Sequence, residues 1–175
     1  MSGAGLAEPI VSLSEAQAFL RIETGEEEAL VAGMIRTASA VCESFLNSLV
    51  IARDFVVDLP GSSAWERIGL SPVRSIAGVE AVDDAGVAAP LLPGDYAVDI
   101  DTGGNGWVRV ASSVRRVRVT GSAGIAADQN GVPEPIRHGV LRLVGHLFSA
   151  RDGSGDAPPA AVTALWRPYR RTRIG

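Results

Sequence analysis

Few residues in this chain are of types that do chemistry, and their spacing argues against most reactions. His138 and His146 are the only histidines. Eight positions apart on one helix, they stand about 12 Å apart, too far to share a metal, and no Cys or Glu lies at i+4 from either. They read as surface or interface histidines. Asp99 and Asp101, or Asp83 and Asp84, suggest an acid/base pair or a calcium loop. Asp99 to Asn105 lacks the ligand series of an EF-hand, however, and Asp/Gly clusters between strands are ordinary turn residues. Gly103-Gly104-Asn105-Gly106 leads into no helix and carries no Lys-Ser/Thr, so it is not a phosphate cradle. There is no G-x-S-x-G, and no nucleophile stands beside a base in sequence. Cys42, the single cysteine, cannot form an internal disulfide and reads as a small buried hydrophobe. No catalytic residue, metal ligand or cofactor is expected.

One segment has a different chemistry. Trp166, Pro168 and Tyr169 are interleaved with Arg167, Arg170, Arg171 and Arg173. Aromatic anchors with forked cations are the types enriched where proteins grip partners, and the same types can stack on bases or hold phosphates. The Gly153–Gly155 stretch before it reads as a hinge, which would let residues 153–175 act as a flexible docking arm.

The charge balance bears on that choice. The chain of 175 residues has a formal net charge of −4, with 46% apolar and 21% charged residues. This is a globular composition, and its acidity argues against general nucleic-acid binding, which draws on cationic neutralisation of phosphate. The charge is uneven: six Glu and one Arg fall in the first 30 residues, against seven Arg and two Asp from Ile136 onward. All sixteen basic residues are Arg; a bias spread over positions of every kind fits the codon usage of a GC-rich genome. No uninterrupted apolar run reaches the length of a bilayer crossing and no signal-peptide pattern opens the chain, so a soluble protein made in the cytoplasm, with no membrane partner, is expected.

The elements that must position these residues are legible from periodicity. Thr24 to Leu49 keeps one helical face apolar through Leu30, Val31, Met34, Ile35, Ala38, Val41, Cys42, Phe45, Leu46 and Leu49. Thr24 and Glu27 are spaced for a capping box, and such a helix would run roughly 37 Å. Leu30, Met34, Ile35, Val41 and Phe45 are its expected core stripe. Before it, Ser12 and Glu15 open a short helix, giving a helical hairpin. From Val50 the period becomes two, with candidate strands at Val50–Leu59, Trp65–Leu70, Ile76–Val82, Val87–Leu91, Tyr96–Ile100, Trp107–Val110 and Val114–Thr120 separated by Asp/Gly/Pro turns. Pro133-Glu134-Pro135 starts a late helix striped by Ile136, Val140, Leu143, Val144, Leu147 and Phe148. The predicted fold is α+β. Its main domain, residues 1–152, comprises helices within 12–49 and 133–151 around a small antiparallel β unit at 50–120. The late helix packs back on the long one.

The ordered set of segments resembles the head–tail connector (adaptor) family of tailed bacteriophages and phage-derived gene transfer agents. The resemblance is carried by Val11-Ser-Leu-Ser-Glu-Ala-Gln-Ala-Phe-Leu-Arg21 with the acidic corner after it, the long helix running into Leu49-Val-Ile-Ala-Arg53, and Leu70-Ser-Pro-Val-Arg-Ser-Ile76. Asp95-Tyr-Ala-Val-Asp99, Val132-Pro-Glu-Pro-Ile-Arg-His138 and Pro168-Tyr-Arg-Arg171 complete it. The stretch around Leu70-Ser71-Pro72 is poorer in proline than relatives often are.

The resemblance implies structural work in the neck of a virion or virus-like particle. It implies a homo-oligomeric ring, usually a dodecamer, that joins the portal protein to the next neck or tail protein. DNA would pass through the ring without specific binding. Portal docking is then expected of Trp166, Arg167, Tyr169, Arg170, Arg171 and Arg173. The rival readings are another neck or tail-completion protein, a small hydrolase with its site at Asp99 and Asp101, and a nucleic-acid-binding module using the tail.

Overall fold

The structure, a computed structural model, describes residues 8–22, 25, 27–111, 113–150 and 157–171. The chain divides into two compact units: a sheet unit, Ala52–Ile125, and a helical unit formed by Glu8–Ile51 together with Ala126–Gly175.

In the helical unit, α1 spans Leu13–Leu20 and α2 spans Glu28–Leu46. The first capping box is half made. Ser12 Oγ accepts the Glu15 backbone N–H at 3.2 Å, while the Glu15 carboxylate turns away to Arg137 at 2.8 Å and so ties α1 to α3 (Glu134–Ser149). The second predicted box involves Thr24, which lies outside the described residues. Glu27 stands at the N-cap of α2 and makes no side-chain capping bond.

At its other end α2 stops three residues before the predicted Leu49, because Asn47 adopts the left-handed conformation at φ 55°. Asn47 N–H then donates to Ser44 O at 3.3 Å and Ser48 N–H to Glu43 O at 3.2 Å, a Schellman closure. Asparagine tolerates this geometry better than other non-glycine residues.

The expected core stripe of α2 is corrected. Its buried line runs Val31, Ile35, Ala38, Cys42 and Leu46. Of the predicted residues Ile35 lies on that line, Met34, Val41 and Phe45 are half-buried, and Leu30 is 44% exposed. More than half of this helix surface is apolar, so periodicity finds the stripe without finding its centre line. By length and composition α2 also qualifies as a bilayer crossing, which the uninterrupted apolar runs had not suggested; here its buried side packs on α1, α3 and α4 (Ala160–Trp166). Burial raises the Cys42 thiol far above its ordinary value, with the Glu43 carboxylate adding to the effect, and keeps it neutral.

The sheet unit holds a strand in each of the seven predicted stretches: β1 Arg53–Pro60, β2 Glu66–Arg67, β3 Val73–Val82, β4 Ala88–Pro90, β5 Tyr96–Ile100, β6 Gly106–Val110 and β7 Arg116–Ala123. They form two antiparallel sheets, in the orders β1-β7-β3-β4 and β2-β6-β5. The last strand in sequence is therefore interior: β7 buries Val117, Val119, Gly121 and Ala123 and turns the alternate residues outward. On that outer face Arg118 grips Asp58, its register partner on β1, through two bonds of 2.8 and 3.1 Å.

Candidate functional site

The Arg/aromatic segment at 166–171 was the strongest site predicted, and its geometry differs from a free arm. Residues 157–171 continue the helical unit as α4, followed by a 3₁₀ turn at Arg167–Tyr169. Residues 153–156 and 172–175 of the expected hinge and arm, Arg173 among them, lie outside the described residues.

Trp166 is corrected from docking anchor to core. It is the largest fully buried side chain described, and its indole N–H donates to Ile136 O at 3.2 Å. The socket is Gly139 on α3, where a Cβ would collide with the indole ring. Phe45 on α2 packs on the other side, with ring centroids 5.8 Å apart and tilted at 50°. An indole with its one polar atom satisfied gains the full burial of its large apolar surface.

That plug holds the next residues in place. Arg170 sets its guanidinium 5.2 Å over the Phe45 ring. Arg171 N–H donates to Leu46 O at 3.0 Å, and Asn47 Nδ2 donates to Arg171 O at 3.4 Å. Arg167 and Arg170 are exposed, and Tyr169 and Arg171 half-buried. The cations thus gather at the C-terminal end of α2, where the helix dipole favours positive charge. Arg167, Tyr169, Arg170 and Arg171 thus form a basic end of the helical unit.

The positions weighed for catalysis are turn and surface residues. Asp101 Oδ1 accepts the Asn105 backbone N–H at 2.9 Å, and Oδ2 accepts Asn105 Nδ2 at 2.9 Å and Trp107 Nε1 at 3.2 Å. The bond from the Asn105 side chain, then that from its backbone, lowers the carboxyl pKa to about 2. Arg67 in turn donates to Asn105 Oδ1. A carboxylate so occupied staples the β5–β6 hairpin. Asp83 Oδ1 caps its own turn by accepting Val87 N–H at 2.8 Å. His138 is exposed and His146 half-buried. Among the described residues no three His, Cys, Asp or Glu side chains are grouped to hold a metal ion.

Two features escaped the sequence reading. Leu30 and Met34 on α2 and Leu147 on α3 line an open apolar groove of about 820 Å³ within the helical unit. In the sheet unit Trp65, Val87, Leu92, Val98 and Ile100 are exposed apolar side chains. Alternation marks Tyr96–Ile100 as a strand, but which strand becomes a sheet edge depends on long-range pairing that local periodicity does not encode.

No protein-family model matches the chain, and no curated protein matches it in sequence. In fold it is similar to solved chains over nearly its whole length. One, from a structure described as the neck of an empty GTA particle computed with C6 symmetry, is 23% identical with a TM-score of 0.78, covering 99% of this chain and 97% of that one. Another, from the virion of a native gene transfer agent (GTA) particle, is 22% identical with a TM-score of 0.78 over 98% and 96%. A third, from the neck of a native GTA particle computed with C12 symmetry, is 22% identical with a TM-score of 0.76 over 99% and 97%.

Proposed function

We propose that the chain is a head–tail connector (adaptor) subunit of a tailed phage or gene transfer agent, a non-enzymatic component of the particle neck. Copies assemble side by side into a ring, a dodecamer in this reading, between the portal and the next neck or tail protein, and the ring carries the DNA channel. The observation that carries this is the agreement of fold, end to end, with chains of GTA neck and virion structures, one of them treated with twelve-fold symmetry. The chemistry agrees with it: of the carboxylates weighed for catalysis, Asp83 and Asp101 are engaged as turn staples, and a net charge of −4 suits a conduit through which DNA slides.

Portal docking belongs to the basic end, with Arg167, Tyr169, Arg170, Arg171 and Arg173 as the contact residues and Trp166 as the plug that presents them. Removing residues 153–175 does not test this, because it also removes Val162 and Trp166 from the core. The test is Arg167→Gln, Arg170→Gln, Arg171→Gln and Arg173→Gln in one full-length chain, imaged in particles and assayed for association with portal. The expected outcome is a folded protein that no longer binds portal, while the wild type sits in the neck as a ring. Undiminished association removes the docking role; absence of the wild-type chain from the neck removes the connector reading.

A further inference from the structure

The sheet unit ends on β5, the outer strand of the order β2-β6-β5. The β5–β6 register is framed by Ala111 N–H to Asp95 O at 3.2 Å and Asp101 N–H to Asn105 O at 3.0 Å. In an antiparallel ladder bonded pairs alternate, so Ala97 and Asp99 bond to β6, and the backbone groups of Tyr96, Val98 and Ile100 point to the open edge. Among the described residues nothing pairs with that edge. The apolar face also runs out there: Val108 on β6 is 1% exposed, while its register partner Val98 is 40% exposed and Ile100 is 37% exposed. This face is one strand short of closure.

The charge around the edge has a single sign. Residues 80–101 contain six carboxylates and no cation. Three are engaged: Asp83 and Asp101 cap turns, and Glu80 lies in the field of Arg118. Asp84, Asp95 and Asp99 are exposed, and their carboxylates have no ion pair or hydrogen bond among the described residues. Arg109, opposite Ala97 and so on the Asp95/Asp99 side of the hairpin, stacks on Trp65 at 4.9 Å instead. One side of β5 therefore offers carboxylates, the other valine and isoleucine, and the edge between them offers unpaired backbone groups.

We propose that β5 accepts an extended segment of a partner protein as an added strand, a segment in which arginine or lysine alternates with β-branched or aliphatic residues. Backbone bonds to Tyr96, Val98 and Ile100 supply pairing, cations meet Asp95 and Asp99, and apolar side chains extend the cover over Val98 and Ile100. A single copy presents this edge without a ring, and an edge whose acidic residues serve only to repel other edges would accept no such strand.

The test uses the full-length chain and a blocked octapeptide of alternating arginine and valine. The peptide should slow amide exchange at Val98 and Ile100 by about tenfold or more and lose affinity with added salt. A version with glutamate for arginine, and one methylated on alternate backbone nitrogens so that it keeps its charge but cannot pair, should both fail to protect. Val98→Pro, which removes an outward N–H and leaves the hairpin's own bonds, should abolish the effect. The proposal is overturned if exchange is unchanged at millimolar peptide or if the glutamate or methylated peptide protects equally. Protection already present without peptide also overturns it: if it rises with protein concentration the occupant is a second copy, and if not, a segment of the same chain.

Discussion

At the scale of single residues, the Trp166–Gly139 pair decides most. The indole fills a socket that exists because α3 has no side chain at position 139. Gly139→Ala overfills it and should cost about 1–3 kcal/mol, and Trp166→Ala should cost about 3–5 kcal/mol. Denaturant titration followed by far-ultraviolet circular dichroism checks both. Asp101 gives a prediction in pH. Its folded pKa is depressed to about 2, so the hairpin's stabilisation by this group is complete above the unfolded carboxyl value and is lost as pH falls towards 2. The protection factor of the Asn105 amide, its exchange relative to an unstructured peptide at the same pH, should fall over that window, and Asp101→Asn should remove the pH dependence. Trp166 shows why residue-level reading fell short. Aromatic–arginine composition is the same for an exposed anchor and for a buried plug beside exposed cations; only the glycine 27 positions earlier, brought alongside by helix packing, separates the two.

At the scale of elements, periodicity placed all seven strands and the principal helices, because each rule involved is local: the alternation of side chains along a strand, the 3.6-residue turn, and Asp/Gly/Pro turn chemistry. It misjudged the face of α2, where apolar residues exceed what the helical unit buries. The consequence is measurable. Val31→Asp places a charge on a wholly buried position and should unfold the helical unit, whereas Leu30→Asp, one residue away, should shift stability by no more than about 0.5 kcal/mol. Thermal unfolding of the two variants decides the centre line. Equal, severe loss in both would return Leu30 to the core.

At the scale of the whole molecule, the two compact units differ in how they are written into the chain. Among the described residues the sheet unit is a single stretch, Ala52–Ile125, while the helical unit is assembled from the segments on either side of it. The sequence held this division in plain view as a change of period from 3.6 to 2 and back. Legibility ended in the last segment, where a Gly-rich stretch suggested a detached arm and long-range packing made residues 157–171 part of the helical unit.

The position of that closing tryptophan sets a timetable for synthesis. Every strand of the sheet unit has been made once residue 125 is added, but α1 and α2 must wait, apolar side uncovered, until α3 and then Trp166 emerge. A polypeptide cut short by a frameshift or a stalled ribosome just upstream of position 166 keeps the residues of both sheets and lacks the plug of the bundle. Completion of the helical unit is in this way tied to length: only a chain translated past that codon can seat the tryptophan in its socket.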